Sequence, residues 1–205
     1  MGVRVLEGAS KQEYYDIIGA ENKRPYEQIL KSSGTGPQLA PFYRSLFTGE
    51  AETAVSRNQN VDGSVTPVRF CLKPNPGEVL VMSRLIFIIR DGGGMDSGGW
   101  GNNGGSPLAN GLRVGLSKGG VDTDFTPIPW KSHVDLGGVA YDLTYHNWGS
   151  GNTWLTMRLT IAKSGTLLRL DSATDDCFWM DVQDDLTYLV EQRCMCQGVI
   201  EGVYL

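Results

Sequence analysis

The sequence lacks the features on which several protein classes depend. No apolar run reaches the roughly 18 residues of a membrane span, and the longest, from Val79 to Ile89, is interrupted by Ser83 and Arg84. Basic residues number 18 against 23 acidic ones, for a formal net charge of −5. We therefore expect no membrane segment. Because phosphate binding requires clustered cations, we also expect no direct contact with nucleic acid.

Histidine is scarce, and no catalytic signature accompanies it. His133 and His146 stand in no metal-ligand spacing, so we expect them to be ordinary hydrogen-bonding residues. Nucleophile-elbow and Walker patterns are missing too, so we predict neither of the sites that those patterns form. The opening "MGVRVLEGASK" has no apolar signal-peptide core, and we expect synthesis in a cytoplasm.

The cysteines are few and lie in apolar, strand-like segments: Cys71, Cys177, Cys194 and Cys196. In a reducing compartment we expect all four to be buried thiols. A disulfide between Cys71 and Cys177 is the alternative in an extracellular particle. Cys194 and Cys196 share one strand face, but no second pair at zinc spacing accompanies them. We therefore predict no metal and no cofactor.

Glycine, in contrast, is abundant, with 27 residues, and is densest in "DGGGMDSGGWGNNGGSPLANG", residues 91–111. Within it Gly99 to Gly104 formally satisfies G-x-G-x-x-G, but no helix start follows, so a nucleotide site is not predicted. We expect a long loop between a strand ending at Arg90 and one starting near Leu112. Trp100 in its middle predicts that the loop packs on something, because disordered linkers rarely carry tryptophan.

The first 52 residues are predicted to form an N-terminal arm with short helices. A capping-box pattern opens a helix predicted over residues 11–18, and a second is predicted from Pro25 to just before Gly34. Neither is long enough to be stable alone, so the arm must dock on the body or on a neighbouring chain. The side chains expected at that assembly interface are those of Tyr14, Tyr15, Ile17, Tyr26, Ile29 and, from the loop, Trp100.

Residues 53–205 carry the pattern of β-strands. In "TWLTMRLTIAK" apolar and polar side chains alternate, which predicts one buried face, and residues 163–165 read as a hairpin turn. The predicted strands cover 65–72, 79–90, 112–118, 125–136, the two sides of that hairpin, 177–182 and 188–200. Short strands with glycine- and proline-rich connections predict a mainly β fold, an antiparallel, jelly-roll-like β-sandwich.

Two groups of side chains leave alternatives open. Aspartates concentrate late in the chain, where we expect solvated turns, with calcium binding or glycoside hydrolysis as alternatives: Asp171, Asp175, Asp176, Asp181, Asp184 and Asp185. Aromatic residues are expected in the core and at subunit interfaces, with stacking on sugars as the alternative: Trp130, Tyr141, Tyr145, Trp148, Trp154 and Trp179.

Three blocks resemble structural proteins of tailed-bacteriophage virions: "NVDGSVTPVRFCLKPNPGEVLVMSRLIFIIRDGG", "LANGLRVG" and "GTLLRLDSATDDCFWMDVQDDLTYLVEQRCMCQGVI". The resemblance covers roughly Asn60 to Ile200 and rests on the order of the blocks, none of which is a catalytic motif. It implies a non-enzymatic β-sandwich subunit that assembles in many copies on the head, neck or tail.

The expected function is therefore that of a virion structural protein, at the neck or collar or decorating the capsid. Its expected partners are further copies of itself and other virion proteins, namely capsid, portal, neck or tail. The alternatives are a carbohydrate- or receptor-binding module of a phage tail or fibre, with a glycan as partner, and a glycoside-cleaving enzyme.

Overall fold

The computed structural model describes residues 38–95, 98–101, 106–126, 128–137, 142–147, 153–160 and 168–203. The two predicted N-terminal helices and the hairpin turn at 163–165 lie outside these residues. The chain divides into two compact units, Met1–Ala40 with Glu201–Leu205, and Pro41–Ile200. Of the first unit, the structure describes only the outer ends of two strands, at 38–40 and 201–203.

The described residues form a mainly β structure, as predicted, with ten strands and one short helix. The strands are β1 Gln38–Ser45, β2 Val68–Leu72, β3 Val79–Asp91, β4 Leu112–Lys118, β5 Val121–Asp124, β6 Asp142–Asn147, β7 Thr153–Thr160, β8 Leu168–Asp171, β9 Cys177–Val182 and β10 Glu191–Val203. The helix, α1, covers His133–Gly137, and a 3-10 turn covers Ser172–Thr174. No helix among the described residues is long and apolar enough to cross a membrane.

The strands form two antiparallel sheets. The first has the order β1-β10-β3-β7-β6, with β8 also paired to β3, and the second has the order β2-β9-β4-β5. The strands β1, β2, β3 and β4 thus alternate between the sheets. The last two strands of the chain lie between earlier ones: β9 lies between β2 and β4, and β10 lies between β1 and β3.

Strand β3 serves two partners along one chain segment. Residues 79–82 pair with β8, and residues 84–91 pair with β7. Ser83 and Arg84, which interrupt the apolar run in the sequence, stand at the change of partner and are both half-buried. Before this point the most deeply buried side chains are those of the even-numbered Leu80 and Met82, and after it those of the odd-numbered Phe87 and Ile89. The alternation of buried and less buried side chains along the strand is therefore broken locally at this point.

The alternation predicted for β7 is confirmed. Leu155, Met157 and Leu159 are buried, whereas Trp154 and Thr156 are half-buried.

In the second sheet, one face is buried and apolar across three neighbouring strands, with Phe70, Leu72, Leu112, Val114, Phe178, Met180 and Val182. The other face of that sheet carries Arg69, Arg113 and Asp181, so it meets water with charged groups.

Two boundaries differ from the sequence-based prediction. The first strand begins at Gln38, inside the segment assigned to the arm, and the larger compact unit starts at Pro41 rather than at residue 53. Pro41 lacks a backbone N–H, which an edge strand tolerates, and β1 stands at the end of the order of its sheet.

The strand predicted over 125–136 is wrong. Apart from a bridge between Trp130 and Leu112, its described part is irregular up to His133, where α1 begins. The sequence "FTPIPW" carries two prolines one residue apart, and proline cannot donate to a central strand ladder.

Candidate assembly surface

The glycine-rich loop, residues 91–111, is the connection between β3 and β4 and is held on the body by Trp100. The Trp100 side chain is fully buried, and its Nε1 donates a hydrogen bond to Oε1 of the buried Gln192 at 2.7 Å. The Tyr188 hydroxyl donates to the Trp100 carbonyl oxygen at 2.6 Å, and burial raises the pKa of that phenol, so it stays protonated as a donor. The prediction that the loop packs through Trp100 is confirmed.

His133 fastens the same part of the loop from the other side. Its Nε2 accepts a hydrogen bond from the Gly101 N–H at 3.0 Å, and the backbone N–H of His133 donates to the Gly99 carbonyl at 3.0 Å. The imidazole and indole rings of His133 and Trp100 lie 5.5 Å apart between centroids. Because Nε2 accepts, it carries no proton in this arrangement, and the expectation of an ordinary hydrogen-bonding histidine is confirmed.

At Gly101 the loop approaches the body closely. Its φ is +63°, and a Cβ there would overlap the Leu189 side chain and lie 2.6 Å from an Asp91 carboxylate oxygen. Only glycine combines that backbone conformation with that approach. Close packing, and not only the turning of the chain, therefore requires glycine at position 101.

The second half of the loop is held by Asp184, which lies between β9 and β10. Its buried carboxylate accepts hydrogen bonds from the N–H groups of Ala109 at 2.9 Å, Asn110 at 3.1 Å and Gly111 at 2.6 Å. Three backbone donors on one carboxylate satisfy polar groups that the loop would otherwise leave without protein partners.

Residues 125–137, which we call the cover segment, run along this loop, and residue 127 lies outside the described part. Leu112 and Trp130 exchange two backbone hydrogen bonds of 2.8 and 2.9 Å, and the Leu108 N–H donates to the Lys131 carbonyl at 2.8 Å. The Lys131 ammonium reaches the Ala109 carbonyl at 2.5 Å. The Trp130 ring also packs edge-on against Phe87, 5.8 Å between centroids. The cover segment is thus fixed at several points.

From this fixed segment, three apolar side chains project into solvent. Phe125 is 41% exposed, Ile128 77% and Val134 62%. Exposed apolar residues are common singly, and three of them on one fixed segment make that segment a candidate for a surface that another molecule covers. Sequence reasoning missed these residues because it assigned them to a strand; the closely spaced prolines were the available signal.

The residues predicted at the assembly interface are placed only in part. Tyr14, Tyr15, Ile17, Tyr26 and Ile29 lie outside the described residues, and their role stays a prediction. Trp100 is described, and its indole is occupied by contacts within the chain. A neighbouring chain could contact that ring only if the loop opened. In the conformation described, the loop can contact a neighbouring chain only through other groups.

Three of the six late aspartates bond to nearby backbone, as expected of turns. Asp171 accepts from the Ala173 N–H at 3.0 Å, Asp176 from the Asp171 N–H at 3.1 Å, and Asp185 from the Thr187 N–H at 2.9 Å. Within the described part of the chain, no three His, Cys, Asp or Glu side chains are grouped in a way that could hold a metal ion.

The described tryptophans are engaged within the chain. Trp100 and Trp179 are buried, and the Arg69 guanidinium lies 4.2 Å from the centroid of the Trp179 ring. Arg90 lies 5.4 Å from the centroid of the Trp154 ring. These contacts favour the core-and-packing interpretation of the aromatic residues over stacking on a sugar.

A cleft of about 560 Å³ opens beside β2, lined in part by Arg44, Lys73 and Glu50. The Arg44 guanidinium makes two hydrogen bonds to the Glu78 carboxylate, at 2.6 and 2.8 Å, and Lys73 lies 3.0 Å from Asp175. Both cations are engaged by carboxylates of the chain, so the cleft indicates no particular class of ligand.

No protein-family model matches the chain, and no curated protein sequence matches it either. Function therefore has to be inferred from the chain's own sequence and geometry.

Proposed function

We propose that this chain is a non-enzymatic structural subunit of a tailed-bacteriophage virion. In this proposal its two sheets pack as a jelly-roll-like β-sandwich, and many copies assemble at the neck or collar or on the capsid surface. Its partners are further copies of itself and neighbouring virion proteins.

The strand order supports the jelly roll. A jelly roll consists of two sheets whose strands are contributed alternately by one folded ribbon, so the late strands return between the early ones. Here β9 lies between β2 and β4 in one sheet, and β10 lies between β1 and β3 in the other. Capsid proteins are among the proteins built on this architecture, and the link from fold to function is here an argument by analogy.

The buried faces support the sandwich. The second sheet has an apolar face that includes Phe70, Val114 and Phe178, and the first contributes the fully buried Phe87 and Leu155. Two such faces are most simply buried against each other. The contact between Phe87 of β3 and Trp130, which bridges to β4, joins side chains from the two sheets.

The observation that carries the assembly role is the exposed apolar group on the cover segment, Phe125, Ile128 and Val134. The hydrogen bonds of the cover segment hold this group in place before any partner binds, which lowers the ordering cost of association. Apolar side chains on a preordered surface are what the centre of a subunit interface requires.

The test is the native mass of the purified chain, measured by light scattering over a concentration series. We expect a closed oligomer for the unmodified protein. The triple variant Phe125→Ser, Ile128→Ser, Val134→Ser should shift this equilibrium to the monomer, because it removes the apolar area that association buries.

A matched control uses two valines that are more exposed than any of the three, Val55 at 84% and Val65 at 91%. The double variant Val55→Ser, Val65→Ser should assemble like the unmodified protein. A monomer at every concentration, or equal assembly of the triple variant and the unmodified chain, would contradict the proposed surface.

A further inference from the structure

Two of the four cysteines lie side by side on the charged face of the second sheet. Cys71 in β2 pairs with Trp179 in β9, so Cys177, two residues before Trp179, is its diagonal neighbour on the same face. The two Sγ atoms are 3.9 Å apart and share a hydrogen bond. Both thiols are free in this structure. To form a disulfide, the two sulfurs would have to approach each other by about 2 Å.

The surroundings of this pair favour thiol chemistry. Cys71 is partly exposed, so a small reagent can reach it. The pKa of Cys177 is lowered, first by its hydrogen bond with Cys71 and then by the positive charges of Lys73 and Arg69, while the same hydrogen bond raises the pKa of Cys71. Arg69 stands two positions before Cys71 on β2 and therefore on its side of the sheet, and Lys73 follows directly after the strand. A stabilised thiolate is the nucleophile of disulfide exchange.

The other two cysteines are enclosed more completely. Cys194 and Cys196 are fully buried in β10, and burial raises the pKa of both thiols. A buried, protonated thiol is a poor nucleophile and is shielded from reagents. The chain therefore contains one reactive pair and one inert pair.

We propose that Cys71 and Cys177 form a modification site that a low-molecular-weight disulfide, such as oxidised glutathione, converts into an intrachain disulfide between β2 and β9. Cys71, the more exposed of the two, passes its proton to the Cys177 thiolate across their hydrogen bond and attacks one sulfur of the reagent, and the leaving thiolate takes this proton from Cys177 to become one molecule of the reduced thiol. The Cys177 thiolate then attacks Cys71 Sγ and releases the second. Two cysteine thiols are oxidised, and one reagent disulfide is reduced to two thiols.

The bond would join two strands whose cysteines are separated by 106 positions in the chain. Closing so long a segment restricts the unfolded chain strongly, so the oxidised protein should be the more stable form. This inference does not depend on the proposed virion role. In a particle it would mean that the subunit folds with free thiols in a reducing cytoplasm and gains a covalent link outside the cell.

The test uses the full-length native protein, incubated with oxidised glutathione, quenched with acid, and alkylated after unfolding. We expect two alkylated cysteines in place of four, a mass lower by two hydrogen atoms before alkylation, and a peptide that links Cys71 to Cys177. The midpoint of thermal unfolding should rise by about 5 to 10 °C and return on treatment with a dithiol reductant.

The variants Cys71→Ser and Cys177→Ser should each abolish the thermal shift, and the control Cys194→Ser should retain it. Four alkylated cysteines after incubation, a lasting single glutathione adduct on the unmodified protein, or a bridge that includes Cys194 or Cys196 would each overturn the proposal. The thiol count needs no substitution, so it decides the question even if a variant fails to fold.

Discussion

Asp184 connects two features that are far apart in the sequence, the acidic turn before β10 and the glycine-rich loop before β4. Its carboxylate accepts three consecutive backbone N–H groups, of Ala109, Asn110 and Gly111. An aspartate in a turn usually bonds its own neighbours, and Asp185 does so with Thr187. Adjacent residues of the same type therefore have different roles, one bonding a distant loop and one capping its own turn.

The change Asp184→Asn tests this role. The asparagine amide has one acceptor oxygen in place of two. Its NH₂ group, which is itself a donor, would face the donor N–H groups of the loop. We expect a loss of about 1 to 3 kcal/mol in the free energy of unfolding and faster hydrogen exchange at residues 109–111. The matched control Asp185→Asn should change stability less and leave exchange in the loop unaltered. Equal effects of the two variants would contradict the anchoring role.

Glu78 gives a prediction for the dependence of stability on pH. Hydrogen bonds from Arg44 lower the pKa of its carboxyl group from 4.5 to about 2. Because the folded pKa is the lower one, the ion pair stabilises the fold fully above pH 4.5, and this contribution is lost as the pH falls towards 2. Both side chains are about one-fifth exposed, so solvent screens the pair only in part.

In Glu78→Gln, the free energy of unfolding should fall less between pH 4.5 and pH 2 than in the unmodified protein, by about 1 to 3 kcal/mol. Urea unfolding at a series of pH values measures this difference. In Arg44→Met, the free energy of unfolding should likewise fall less over this pH interval, because the substitution removes the partner of the carboxylate. Parallel pH profiles for all three proteins would show that the pair does not titrate in this way.

At the scale of elements, the charged face of the second sheet is built around one ring. The Trp179 indole of β9 lies on Gly115 of β4, where a Cβ would come within 2.6 Å of the ring atom Cε2. Arg69 of β2 covers the ring and makes hydrogen bonds to Asp181 at 2.7 and 2.8 Å and to Asp122 at 2.6 Å. One tryptophan thus joins three strands on a face that is otherwise polar.

Replacement of Gly115 by alanine should therefore disturb the pairing of β4 with β9. We expect a loss of about 1 to 3 kcal/mol in the free energy of unfolding, because the added methyl overlaps the ring and the Thr123 carbonyl oxygen. Gly94→Ala is the control, since nothing lies within 4 Å of a Cβ there, and it should stay within about 0.5 kcal/mol of the unmodified protein. A neutral Gly115→Ala variant would mean that the ring can move aside.

At the scale of the whole molecule, the arm and the cover segment are two proposed routes to assembly. The strand β1 begins at Gln38, so a deletion of residues 1–37 spares every described strand. We expect the shortened chain to keep its far-UV circular dichroism and its unfolding midpoint, because the larger compact unit starts at Pro41. The number of copies per assembly, which is the native mass divided by the mass of the shortened chain, should fall, because the arm is proposed to dock on a neighbouring copy.

Loss of the fold in the shortened chain would place the arm in the core. A folded chain with an unchanged number of copies per assembly would mean that the cover segment is sufficient as the interface. Comparison with the triple serine variant then separates the two contributions, since the deletion and the substitutions alter different parts of the chain.

Several features of this protein could be predicted from the sequence because local patterns encode them. Strand β9 agrees with its predicted bounds, β3 and β7 agree closely, and the glycine-rich loop lies between β3 and β4 as expected. Alternation of apolar residues decides which face of a strand is buried before any partner is known. The burial of Trp100 was predictable for a similar reason, because a large aromatic ring in a loop favours packing over solvation.

Only the tertiary structure decided which distant groups meet. The carboxylate of Asp184 reaches a loop more than seventy positions away, and Cys71 lies beside Cys177 although 106 positions separate them. The apolar group on the cover segment likewise depends on the loop beneath it. The periodicity of a strand is a property of neighbouring residues, whereas strand pairing and loop docking depend on a balance of contacts over the whole chain, which no short window of sequence contains.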